Sequence, residues 1–230
     1  MALYAIGDLH LSFNSNKSME VFGDGWFDYV NRIKLGFESL ESTDITVLCG
    51  DISWGMSLDE SIKDFKFIDA LPGEKIILKG NHDYWWNTIS KMNAFFEENK
   101  IKSIKILNNN CYYYNEVAIC GTRGWMCEDD FSSEENIKIA TRENMRLRSS
   151  LEAAKNAETK ICFLHYPPIT KGKDYCNLIP LMNEYDVKVC VYAHLHNYGH
   201  KSAVLGIIDG INYELVSSDF INFTPQKIMD

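Results

Sequence analysis

The chain has 230 residues, enough for one sizeable core without division into two domains, and its 46% hydrophobic and 24% charged content excludes a disordered chain. A net charge of −9 argues against a broad surface for coating nucleic-acid phosphates, yet it leaves room for a small phosphorylated substrate drawn to a locally positive metal site. The seven cysteines are odd in number and lack a C-x-x-C pair, which disfavours zinc fingers and disulfide frameworks; with no signal-peptide pattern and no membrane-length apolar run, the chain reads as soluble and cytoplasmic.

The first strand is predicted at residues 2–6, and residues 26–40 form the first helix candidate. A second strand at 45–49 precedes a helix that starts at Ser57, with Glu60 at capping-box spacing. Its apolar stripe is Leu58, Ile62, Phe65 and Ile68, and Pro72-Gly73 stops it. A strand at 75–78 leads to a third helix over 84–98, with Trp85, Ile89, Met92 and Phe96 on one face. Short strands at 104–107, 111–114 and 117–120 are separated by Asn108-Asn109-Asn110 and by Asn115, the pattern of hairpins. A long polar helix follows at 133–157, and the last third is predicted β-rich, with strands at 161–164, 187–192, 203–208 and 211–216. Asp209-Gly210 joins the last two as a hairpin. No linker, repeat or low-complexity tract interrupts the chain. The expectation is a single α/β domain over residues 1–230, two mixed sheets packed face to face with helices outside.

Five of the six histidines fall within one ordered series: Asp8-Leu9-His10, Gly50-Asp51, Gly80-Asn81-His82-Asp83, His165 and His194-Leu195-His196. Each group follows an apolar, β-branched run. Residues just past the carboxyl ends of strands line a shared crevice, so ligands far apart in sequence can meet there. A dinuclear metal site is the natural reading.

This ordered set resembles the calcineurin-like metallophosphoesterase superfamily. The fuller strings Gly50-Asp51-Ile52-Ser53-Trp54 and Gly80-Asn81-His82-Asp83-Tyr84-Trp85-Trp86 resemble a bacterial branch of predicted phosphohydrolases. The resemblance implies a four-layer αββα sandwich and two metals, one held by Asp8, His10, Asp51 and His196, the other by Asp51, Asn81, His165 and His194. Mixed imidazole and oxygen ligation suits Mn, Fe, Zn or Co better than Ca or Mg, and a carboxylate such as Asp51 suits the bridging position. Two divalent cations, two carboxylates and a bridging hydroxide leave a net positive charge of about one, which attracts a phosphate while the hydroxide attacks it without a phospho-enzyme. His82 is the candidate general acid, with Asp83 expected to hold its ring and raise its pKa.

Two positions depart from the wider superfamily. Ile52-Ser53-Trp54 stands where protein Ser/Thr phosphatases have Asp-Arg-Gly, which leans the reading towards diesters, and Ala193 replaces the usual glycine before the His-x-His pair. Arg123 is a candidate for the phosphate, against the alternative of a surface salt bridge. Trp54 and Tyr166 are candidates to line the cleft, Trp85 fits its helix core, and His200 reads as a rim residue. The acidic run Glu128-Asp129-Asp130 reads as a solvated loop, and the helix carrying Arg142, Arg146 and Arg148 as exposed and salt-bridged. The expected function is hydrolysis of small phosphomonoesters or phosphodiesters, with no membrane partner and no evident nucleic-acid surface. A non-catalytic metal-binding scaffold and a nuclease are the alternatives; substrate, native metal and oligomeric state have no sequence code.

Overall fold

Alternation along the strands builds two sheets whose central strands are buried on both faces. The computed structural model describes residues 1–15, 17–126, 133–170, 173–174 and 178–230. In the first sheet β1 (Leu3–Ile6), β2 (Ile45–Leu48), β3 (Glu74–Ile77) and β4 (Ile104–Ile106) run parallel in that order, and β13 (Gln226–Met229) pairs antiparallel with β1. In the second, β6 (Val117–Thr122), β7 (Thr159–Leu164), β10 (Val187–Tyr192) and β12 (Ile211–Leu215) are parallel neighbours. They are flanked by the antiparallel edges β5 (Tyr112–Tyr114) and β11 (Gly206–Ile208). The short strands β8 (Ile169–Thr170) and β9 (Lys173–Asp174) form a separate ribbon.

Residues two apart share a face, and the packing follows that period. Leu3, Ala5, Val47, Cys49, Ile76 and Leu78 meet Ile119, Ile161, Phe163 and Val191 between the sheets. The intervening residues Ile6, Leu48 and Ile77 face outward, where α1 (Tyr29–Phe37), α2 (Ile62–Ala70) and α3 (Ile89–Glu98) supply Ile33, Phe37, Phe65, Ile68, Met92 and Phe96. On the far side Cys120, Cys162, Leu164 and Tyr192 pack under α4 (Glu134–Ala153) and α5 (Leu178–Glu184). Burying each of the larger side chains stabilises the fold by about 1.5–3 kcal/mol. The result is the expected α/β sandwich. No helix among the described residues is long and apolar enough to cross a membrane.

Three local expectations need correction. Residues 104–114 do not form a hairpin: β4 belongs to the first sheet and β5 to the second, so the asparagine run is a crossover, and only β5–β6 is a hairpin. The second and third helices begin later than their apolar stripes. Trp85 is buried ahead of α3, which is capped by Thr88 accepting from the Lys91 N–H. The strand β13 and the helix α5, which carries Pro180 near its start, were not expected. The Asp209-Gly210 turn does join β11 to β12 as predicted.

The two sheets touch where β1 ends. Gly7 forms a parallel bridge with Ser217: its N–H donates to the Val216 carbonyl at 2.7 Å, and its own carbonyl accepts from the Ser218 N–H at 3.1 Å. A Cβ on Gly7 would collide with the Cβ of Ala193, so absence of a side chain is what lets the two strand ends close. That junction carries Asp8 to one side and His194 to the other.

Candidate metal centre

The loops after β1 and β2 run side by side. The Asp8 N–H donates to the Gly50 carbonyl and the His10 N–H to the Asp51 carbonyl, each at 2.9 Å. Gly50 sits at φ 84°, and a Cβ there would stand 2.7 Å from both Gly80 and His165 Nδ1. This close approach brings the turn after β3 against Asp51. Asp8, His10, Asp51 and His194 all adopt positive φ, between 45° and 72°. Non-glycine residues pay roughly 1–3 kcal/mol each for such geometry, and strain of this kind gathers at functional sites.

Two three-residue groups result: Asp8, His10 and His196, and Asp51, His165 and His194, the ligand atoms within each group lying within 4.8 Å of one another. Asp51 Oδ2 stands between them, 3.6 Å from His10 Nε2 and 3.5 Å from His165 Nε2. Asn81 joins the second group through its Oδ1, 2.6 Å from His165 Nε2. The donors fit a cation. Asp8 Oδ1 and His196 Nε2 are buried without a hydrogen-bond partner yet face each other at 3.6 Å. Atoms that ligate one ion at about 2.1 Å stand roughly 3–3.5 Å apart.

A model of the family described as calcineurin-like phosphoesterase matches residues 1–198. The chain belongs to that family. It is therefore a metallophosphoesterase, a metal-dependent hydrolase of phosphoric esters, and divalent metal ions are its cofactors. The calcineurin-like fold recurs in solved structures. Phosphopantetheinyl hydrolase from Mycobacterium tuberculosis aligns with TM-score 0.61 at 15% identity, covering 99% of this chain and 95% of that one. The protein TT1561 of Thermus thermophilus aligns with TM-score 0.58 at 12% identity, covering 98% and 96%. No curated protein sequence matches.

In this phosphoesterase the candidate ligand residues are held from behind. His165 Nδ1 meets the Cys49 carbonyl at 2.9 Å, which turns Nε2 to the centre. His196 Nδ1 meets Asp219 Oδ1 at 2.8 Å with the same effect. Such partners fix the ring and its tautomer. Asp219 was not identified from sequence; it follows β12 by four positions in Ser217-Ser218-Asp219, which carries no recognisable spacing. His200 also contacts it, at 3.3 Å, and so lies at the rim as expected.

Asp83 does not hold the His82 ring. Its buried carboxylate accepts backbone N–H bonds from Asp51, Ile52, Ser53 and Gly80, at 2.7–3.3 Å, and one from Trp85 Nε1 at 3.0 Å. It clamps the turn after β2 to the turn after β3. The expected lift of the His82 pKa is also absent: burial first, then the charge of His165, lowers it. The His82 backbone N–H donates to Asp51 Oδ1 at 2.8 Å, while its ring stands 4.5 Å from Trp54 and 5.6 Å from His10. Its Nδ1 has no partner.

Trp54 stacks on His10 at 4.8 Å, and Trp26, also missed in sequence, meets His10 and His196 edge-on. Tyr166 packs 4.3 Å from His194 and is nearly buried, so it braces that ring. Arg123 is not among the ligand groups. It faces Glu143 at 3.4 Å and lies over the Trp125 ring. On α4, Arg146 pairs with Glu143 and Arg148 with Glu184, as a salt-bridged helix should. Glu128-Asp129-Asp130 lies outside the described residues.

Burial raises the Asp51 pKa to about 8, reinforced by the charge of Asp8. For Asp8 burial acts in the same direction, but His196, His165 and His10 outweigh it and hold the carboxyl below its ordinary value. Burial lowers His10 and His165, and takes His194 down to about 3. His196 goes the other way, to about 10, because Asp8 and Asp219 overcome its burial. Two carboxylates and four imidazoles crowded in one cleft call for cations.

Proposed function

We propose that the chain is a single phosphoesterase domain spanning residues 1–230, with two divalent cations and with small phosphodiesters or phosphomonoesters as substrates. The observation that carries the reading is the Asp51 carboxylate, placed almost equally between the Asp8–His10–His196 group and the His165–His194 group. One cation would be held by Asp8, His10, Asp51 and His196, and the second by Asp51, Asn81, His165 and His194. The donor set suits Mn, Fe, Zn or Co. When bound, such a pair neutralises phosphoryl charge and acidifies water, so that water can attack phosphorus in line.

The chain's own residues do the rest. Asp51 and Asn81 are fixed in register by the Asp83 clamp and by the His82 N–H. His82 belongs to neither ligand group, and its ring would give a proton to the departing alkoxide oxygen. Trp54 and Trp26 keep bulk water from the His10 and His196 rings. Asp83 is a positioning residue in this scheme. Ile52-Ser53-Trp54 supplies no arginine to clamp a phosphomonoester, which favours diesters. A reduced, cytoplasmic setting belongs to the same proposal, supported by the free buried thiols of Cys49, Cys120, Cys162 and Cys190.

The test is Mn-dependent hydrolysis of nitrophenyl phosphate against bis-nitrophenyl phosphate, with Asp51→Asn as control. Faster diester turnover, lost in the control, is expected. Turnover that survives Asp51→Asn would contradict the assignment, and a monoester preference would overturn the diester leaning.

A further inference from the structure

A cavity of about 70 Å³ has walls that include Lys79, Arg123, Arg146, Asn108, Thr122 and Trp86. Three cationic side chains from three separate elements converge on it: Lys79 from the turn after β3, Arg123 from the end of β6, and Arg146 from α4. Glu143 answers the two arginines directly, and the Asp83 carboxylate acts on Lys79 through its charge without an ion pair. Glu143 is fully buried and accepts from Thr122 Oγ1 at 2.7 Å and from Arg146 Nη1 at 2.6 Å, with Arg123 Nη2 at 3.4 Å. The lining itself carries three cationic side chains and no acidic one, on a chain whose net charge is −9.

Two donors there have nothing to bind. Lys79 is half-buried and makes no ion pair among the described residues, and Arg123 Nε is buried without a hydrogen-bond partner. A buried guanidinium N–H and an unpaired ammonium facing the same small space call for an acceptor with negative charge and several oxygens. A phosphate group has that chemistry. Two lining residues are tied by backbone to the candidate ligands: Lys79 precedes Asn81 by two residues, and the Arg123 carbonyl accepts the N–H groups of His165 and Tyr166 at 3.1 and 2.9 Å.

We propose that this cavity binds a second phosphoryl group of the substrate, one that is not hydrolysed, so that preferred substrates are phosphoric esters carrying an additional phosphate. The proposal rests on the phosphoesterase reading above and narrows its substrate class. Arg123 then acts on a phosphate as the sequence suggested, but on the remote one.

Calorimetric titration of inorganic phosphate into the Mn-loaded protein tests the site. Two phosphates per chain are expected, one abolished by a chelator and the other insensitive to it. Lys79→Met and Arg146→Met should each weaken the second at least tenfold. Because Lys79 has no ion pair to lose, its variant should fold even if Arg146→Met, which strips a partner from buried Glu143, does not. A single phosphate that disappears with the metal, or a second one indifferent to Lys79→Met, would overturn the proposal. The substrate claim is read with thymidine 5′-(4-nitrophenyl phosphate) and the same ester bearing a 3′-phosphate. The added phosphate should raise kcat/KM at least tenfold, chiefly through KM, and Lys79→Met should remove the advantage; equal kcat/KM would refute it. Loss of Mn-dependent hydrolysis with the Lys79-dependent phosphate site intact would be a failure of the hydrolase reading, whereas hydrolysis without that site would be a failure of this proposal.

Discussion

Asp219 Oδ1 stands 2.8 Å from His196 Nδ1, and the opposite nitrogen of the same ring points at Asp8 Oδ1 from 3.6 Å. Asp219 also accepts the Asn197 N–H at 3.0 Å, so its carboxylate is itself fixed. A residue that orients a ligand ring is worth about 10–100-fold in metal affinity. Asp219→Ala is therefore expected to raise the dissociation constant for Mn by about that factor with little change in melting temperature. Unchanged affinity in a direct metal titration would show that His196 needs no such support.

Asp83 makes a different prediction, because it supports backbone and not a ring. Replacing it with Asn exchanges a charged acceptor of four backbone N–H groups for a neutral amide that brings two donors of its own. The cost should be about 3 kcal/mol in urea unfolding, together with weakened metal binding, since the Asp51 turn loses its anchor. A loss below about 1 kcal/mol would mean the two turns are held by packing alone.

The contrast between these two aspartates shows what sequence can carry. The candidate ligand series is legible because each member follows an apolar run whose end must reach the crevice, and Asp8, Asp51 and His194 are residue types that tolerate left-handed backbone. Asp83 is harder to read: adjacency to His82 in sequence suggests a side-chain pair, while three of its four backbone partners are N–H groups some thirty residues away, in the turn after β2. Asp219 and the Cys49 carbonyl could not be found, since their value depends on which ring nitrogen they meet. The same limit explains the misread crossover at Asn108-Asn109-Asn110. Local alternation marks β4 and β5 as strands but does not say that they belong to different sheets.

The pH dependence of metal binding follows from the centre's charges. In the metal-free protein, burial and then Asp8 raise Asp51 to about 8, and Asp8 with Asp219 raises His196 to about 10 against the effect of burial. Both groups hold a proton at pH 7 and both must lose it to ligate, so binding releases protons and higher pH favours it. Burial depresses His10, His165 and His194, so they add less to that release than Asp51 and His196. Between pH 6.5 and 7.5 the dissociation constant for Mn should fall about 10–100-fold. A constant independent of pH over that interval would contradict the protonation states assigned here.

His82 can be separated from the ligands by its leaving-group dependence. If its ring protonates the departing oxygen, His82→Gln should cost about 100-fold or more in kcat on an alkyl ester but far less on a nitrophenyl ester, whose leaving group needs no proton. Metal content should be unchanged, because neither ring nitrogen belongs to a ligand group. Equal losses on both esters would place His82 in positioning and not in proton transfer.

The central claim is that Asp51 serves two cations at once, and a count of bound metal tests it most directly. Equilibrium dialysis of the chelator-treated protein against Mn, followed by elemental analysis, should give two ions per chain in the parent protein. In Asp51→Asn it should give at most one, with ester hydrolysis lost in parallel. Two ions retained in Asp51→Asn with undiminished hydrolysis would contradict the account.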